Sequence, residues 1–272
     1  MRLQQYINES ARSKEIRNIY KIPKLLKDKF SQAWKQLMND QAIYRARVYG
    51  NEEFVITNPR KKGVEKRISP WASKNFYNLL LNNLPSWNKM PDRDIICTFE
   101  RLEAETRAAG EGGAYFVLPQ NGAKIGICPR EDIWWSFDSH ARIENLDRLN
   151  NELFNINLLD GSTDDKIAHK DWKLFLKLAD KLDEYKKHDS FPFPLKSEIQ
   201  RSIFSDYLTN NKDFISFLDD LLDPRKNGFK VKSVGNFRNN GKSEVWTDST
   251  CLMIRLDRIY EVKNEYESGD WA

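Results

Sequence analysis

The sequence of 272 residues predicts an α+β fold, and three observations carry that reading. Strand-like segments fill the first half, strand-like segments return in the last quarter, and a long polar helical block lies between them. Neither group of strands completes a sheet by itself, so the two ends of the chain are expected to share one. Hydrophobic residues make up 40% and aromatics 12%, with 8 Trp, 10 Tyr and 15 Phe. That much apolar area supports a sizeable core and excludes disorder over the whole chain. No window approaches the ~18 uninterrupted apolar residues of a spanning helix, so no membrane partner is expected.

The elements follow in order. Residues 1–9, MRLQQYINE, form a short amphipathic stretch before a small-residue junction, and 10–40 are read as basic N-terminal helices. From Ser13 to Met38, Ile16, Ile19, Leu25, Leu26, Phe30, Trp34 and Leu37 stand near helical spacing, with Pro23 dividing the run into two helices. AIYRARVYG and EEFVIT read as strand, turn and strand around Gly50-Asn51. A basic loop, NPRKKGVEKRISP, precedes a helix over 71–84 that Pro85 ends. DIICTF follows the Pro91-Asp92 turn as a strand, and ERLEAETRAAG is a helix with Gly110 as its cap. AYFVLP and NGAKIGICP are strands joined by a turn, which closes the first part of the core, 41–137. Residues 138–227 read as a helical insertion. Strands resume over 228–272 with GFKVKSVG and SEVWTDSTCLMIRLDRIYEV.

Charge is uneven. Residues 1–67 hold 16 Lys+Arg against 7 Asp+Glu, while the remainder is acidic. An electropositive first quarter suits a phosphate-bearing ligand or nucleic acid, or is a solvated helix face. Three cysteines, at 97, 128 and 251, include no C-x-x-C, which argues against a disulfide framework or a zinc site. The histidines at 140, 169 and 188 have no partner at ligand spacing, so no metal is expected. Neither a G-x-S-x-G elbow nor a phosphate-binding P-loop is present.

Three short features remain. Arg45 sits in an apolar strand, Cys97-Thr98 end another, and Glu244 stands at the mouth of a late one. In this order, YRAR at 44–47, IICTF at 95–99 and KSEVW at 242–246 resemble the mono-ADP-ribosyltransferase family. The similarity covers 41–137 and 228–262. It implies a split mixed β-sheet around an NAD cleft, with NAD as a substrate. It implies Glu244 as the carboxylate facing the ribose as oxocarbenium character develops, and Arg45 on the pyrophosphate. Thr98 and Cys97 would stand where the family has Ser-Thr-Ser, and Tyr77 or Tyr44 would stack on nicotinamide. Cys97-Thr98-Phe99 keeps only the central hydroxyl, and Lys242 stands where arginine-modifying members carry Gln or Glu. The acceptor is therefore open: another side chain, nucleic acid or a small molecule of the host.

LQQYINE followed by Ser10 resembles the capsid-targeting peptide of proteins packaged in the heads of large tailed phages, which a prohead protease cuts after aliphatic-x-Glu. Ile7-Asn8-Glu9 fits. This implies cleavage between Glu9 and Ser10, residence inside the virion and action in the host cytoplasm. Two other readings stay open: a packaged, non-enzymatic protein whose basic N-terminal helices bind DNA or a host protein, and a degenerate transferase fold that binds nucleotide without turnover.

Overall fold

The computed structural model describes residues 13–47, 52–59, 79–108, 112–143, 149, 172–188, 205–239 and 241–269. The leader, the Gly50-Asn51 turn, Tyr77 and Gly110 lie outside them. The chain divides into two compact units. One comprises Met1–Arg67, Met90–Asp132 and Lys230–Ala272; the other comprises Ile68–Lys89 and Ile133–Phe229. Residues 68–89 thus group with the helical stretch.

The first unit is built on one sheet of nine described strands. They are β1 (Ser13–Glu15), β2 (Tyr44–Arg47), β3 (Phe54–Thr57), β4 (Ile95–Thr98), β5 (Gly113–Pro119), β6 (Lys124–Ile127), β7 (Lys230–Ser233), β8 (Glu244–Thr247) and β9 (Cys251–Arg255). Their order is β1-β3-β9-β5-β2-β4-β8-β6-β7. The fold class is α+β, but every pairing among these strands is antiparallel rather than mixed. Strands from both ends of the chain do share the sheet: β9 lies between β3 and β5, and β8 between β4 and β6.

Burial follows position. Cys251, Leu252, Met253 and Ile254 of central β9 are all fully buried, as is expected of a strand covered on both faces. Edge strand β7 is exposed throughout, and Lys230 and Lys232 guard it against pairing with another chain. Helices α1 (Ile22–Lys29) and α2 (Ser31–Met38) send Ile22, Leu26, Phe30 and Trp34 into the same core cluster as Val117, Met253 and Ile254.

Three local expectations change. First, the N-terminal run does form two helices, but they divide at Phe30, and Pro23 lies in the first turn of α1, where its missing N–H costs nothing. Ser13–Glu15 is an edge strand on β3 instead of helix. Second, β2 and β3 are not a hairpin, since β9 and β5 separate them. Third, the end of the last strand segment is helix α6 (Ile259–Ser268), because Ile259, Val262 and Tyr266 recur at helical spacing and pack on the core. Helix α3 (Arg101–Arg107) follows β4.

The second unit packs α4 (Trp172–Lys187) with α5 (Phe214–Leu221) through Phe175, Tyr207, Phe214 and Phe217. Asp183 anchors this cluster by accepting from the Tyr207 hydroxyl at 2.6 Å and the Phe214 N–H at 2.9 Å. Burial foremost, then the Asp183 carboxylate, pushes the Tyr207 phenol far above its ordinary range.

On β6, Gly126 lies beneath the Trp246 indole, and a Cβ there would come within 2.7 Å of Nε1 and closer to ring carbons. Gly126→Ala is therefore expected to destabilise by about 1–3 kcal/mol, the usual cost of overpacking. Urea denaturation checks this. The loss should shrink in a Trp246→Leu background, and an equal loss in both would contradict the close approach.

Candidate functional site

Glu244 opens β8, where its carboxylate is 11% exposed. The register sets its neighbours. Tyr44 stands opposite Thr98, and Thr98 opposite Glu244, so the three occupy one row across β2, β4 and β8. Directly opposed residues of an antiparallel pair share a face, so this row lies on one side of the sheet. Trp246, two residues beyond Glu244, lies on the same side.

Arg93 reaches that carboxylate from the segment leading into β4. Its Nη2 donates to Glu244 Oε1 at 2.5 Å, and its own side chain is 8% exposed. The segment is tied to β8 by backbone as well: Trp246 Nε1 donates to the Pro91 carbonyl at 2.8 Å, and the Asp92 N–H donates to Asp248 Oδ2 at 3.4 Å. The Arg93 guanidinium sits 5.7 Å from the Trp246 ring centroid. The Trp246 ring, buried to 1% exposure, thus flanks the charge pair.

Thr98 lies beside Glu244, but its hydroxyl accepts the Glu100 N–H at 3.0 Å and shapes the turn into α3. Tyr44 is half-buried, tilted against Phe116 at 5.4 Å, and burial is the first cause that raises its phenol pKa. Lys242, two residues before Glu244, pairs with Glu100 at 3.8 Å and is 60% exposed.

Arg45 and Cys97 are on the opposite face. Arg45 pairs in register with Tyr115, one residue out of step with the Tyr44 row. Its Nη1 donates to the Ile96 carbonyl at 2.9 Å. The described β2–β4 ladder is a single residue pair, Tyr44 with Thr98, so the guanidinium supplies a cross-strand bond where the backbones diverge. Cys97 packs there with Ile43, Val117 and Val245, in a gap with no room for water. The expectation that Arg45, Thr98 and Glu244 line one cleft is corrected accordingly: Thr98 and Glu244 adjoin, and strand alternation turns Arg45 and Cys97 away from them. Tyr77 lies outside the described residues.

Arg93 and Trp246 were not singled out in the sequence. The only sequence sign of Arg93 is an arginine between two aspartates, Asp92 and Asp94, just before a strand. Among the described residues no group of three or more His, Cys, Asp or Glu is arranged to hold a metal ion. No helix among them is long and apolar enough to cross a membrane. No protein-family model, curated protein or solved structure matches the chain.

Arg45→Met removes the donor to the Ile96 carbonyl and leaves a half-buried acceptor with one bond fewer. A stability loss of about 1–3 kcal/mol is expected. Equilibrium urea unfolding measures it, and an unchanged midpoint would show that the bond bridges nothing.

Proposed function

We propose that the protein is an NAD-dependent mono-ADP-ribosyltransferase in which Glu244 is the catalytic carboxylate. The observation that supports this best is the row Tyr44–Thr98–Glu244 on three adjacent strands, two from the first half of the chain and one from its last quarter. It brings together the strands whose motifs resemble those of the transferase family. A buried carboxylate held by a guanidinium supports the same reading.

In this reaction the bond between the ribose C1 and the nicotinamide nitrogen breaks, and nicotinamide leaves with the electron pair. The acceptor nucleophile bonds to C1 and gives up its proton. The Glu244 carboxylate opposes the positive charge that develops on the ribose, in a site where burial strengthens the interaction. Arg45 has no place in this chemistry, since it faces the other side of the sheet. Delivery inside a phage head and action on a host macromolecule rest on the N-terminal resemblance at Ile7-Asn8-Glu9.

A second reading is favoured by Thr98, whose hydroxyl is engaged with Glu100 and stands alone where the family has three hydroxyl residues. In that reading the fold binds nucleotide without turnover. Incubation with NAD labelled in the adenylate, alone and with bacterial lysate, separates the two. Transfer of label with release of nicotinamide is expected. Glu244→Gln should reduce release by about 10²-fold or more while changing NAD affinity much less. A folded Glu244→Gln variant with wild-type turnover would remove Glu244 from the chemistry. Binding by the wild type without release would favour the nucleotide-binding reading.

A further inference from the structure

We infer that Arg93 is the positioning residue for Glu244, fixing the orientation of its carboxylate through Oε1. This rests on the transferase reading of Glu244 and adds to it the residue that holds the carboxylate in place.

The pair is nearly closed off from solvent, at 8% and 11% exposure, and the partners are 151 residues apart in sequence. A buried ion pair is a poor source of stability, because desolvation of the two charges cancels most of their attraction, and apolar residues of similar volume often serve as well. This one is nevertheless surrounded by contacts that hold it in one geometry. The Trp246 indole N–H fixes the Pro91 carbonyl two residues before Arg93. The Asp92 N–H is tied to Asp248, the residue just after β8. The Trp246 ring stands beside the guanidinium and presses on a position of β6 where only glycine leaves room. These contacts hold the segment that carries Arg93 against β8.

Strand β4 offers one hydroxyl next to Glu244, and Thr98 Oγ1 is already accepting from Glu100. Arg93 Nη2 does donate to the carboxylate, at 2.5 Å. A carboxylate that must face a developing cation gains from one oxygen being held, because the other then keeps a constant direction without reorganisation.

The test is steady-state nicotinamide release from NAD by the full chain, with thermal unfolding recorded for every variant. Arg93→Met is expected to lower kcat by about 10-fold to 10²-fold, the scale of a misplaced catalytic group, with KM changed by less than about 3-fold. Arg93→Lys should recover part of kcat, since a point charge cannot reproduce the planar fork. The double variant Arg93→Met/Glu244→Gln should be no slower than Glu244→Gln alone, because both changes remove one working unit. A folded Arg93→Met with wild-type kcat would overturn the assignment and make the pair structural. A raised KM at unchanged kcat would overturn it too, and would place Arg93 on the phosphates of NAD. Fully additive losses in the double variant would also overturn it. If Arg93→Met does not fold, Arg93→Lys decides: reduced kcat at unchanged KM supports the role, and wild-type kcat ends it. A wild type that releases no nicotinamide overturns the transferase reading and this one with it; an active wild type with unaffected Arg93 variants overturns only this one.

Discussion

The first unit depends on the seating of β8 between β4 and β6. Without that strand, β6 and β7 have no described strand pairing to the rest of the sheet, because the order runs through β4, β8 and β6 in turn. The seat is specified from both sides. Val245 is fully buried, and Trp246 fills the space above Gly126 while donating to Pro91. The ladder to β4 runs from Ile95–Thr247 to Thr98–Glu244 without a break. These bonds form between segments separated by about half the chain. Loop closure must precede their gain, so topologies of this kind fold slowly compared with local ones. The helical unit has its own aromatic core, anchored at Asp183.

Two arginines stabilise neighbouring parts of the sheet in different ways. Arg45 gives a neutral carbonyl a donor where β2 and β4 separate. Arg93 meets a charge on the other face. The first interaction replaces a backbone bond, and its value is that of one hydrogen bond to a charged donor. The second costs far more to desolvate, so its presence calls for a reason other than stability. The two arginines thus differ in what they meet, a neutral carbonyl in one case and a carboxylate in the other.

Much of the fold was legible in the sequence. The strand segments containing Tyr44, Ile96 and Val245 were readable from apolar and β-branched residues, and their membership of one sheet followed from the incompleteness of either half. What could not be read was partnership. Gly50-Asn51 suggests a hairpin because turn chemistry is local, yet β2 and β3 pair with β5, β4, β1 and β9, partners that local turn chemistry does not specify. Arg258–Val262 reads as strand from its Ile, Tyr and Val, but the packing of Ile259, Val262 and Tyr266 on one side decides for helix. Of the site, Glu244 and Thr98 were legible as strand-end polar residues; Arg93 was not, because an arginine in a turn carries no sign of the strand it will meet.

Register parity explains why a correct reading of three strands still misassigned a side chain. Residues i and i+1 of a strand face opposite ways, so a motif identified strand by strand does not say which of its members share a face. In YRAR, Tyr44 and Ala46 fall on the Glu244 side, and Arg45 and Arg47 on the other, where Arg47 lies over the Tyr115 ring. A one-residue slip of β2 would bring the arginines across, but it would also turn Tyr44 away from Phe116 and move Arg47 from its ion pair with Glu52. The strand is therefore held in the register that keeps both arginines away from Glu244. A guanidinium on the Glu244 side must then come from outside β2, and the segment before β4 supplies it. The guanidinium that meets Glu244 in the fold is therefore that of residue 93, not 45.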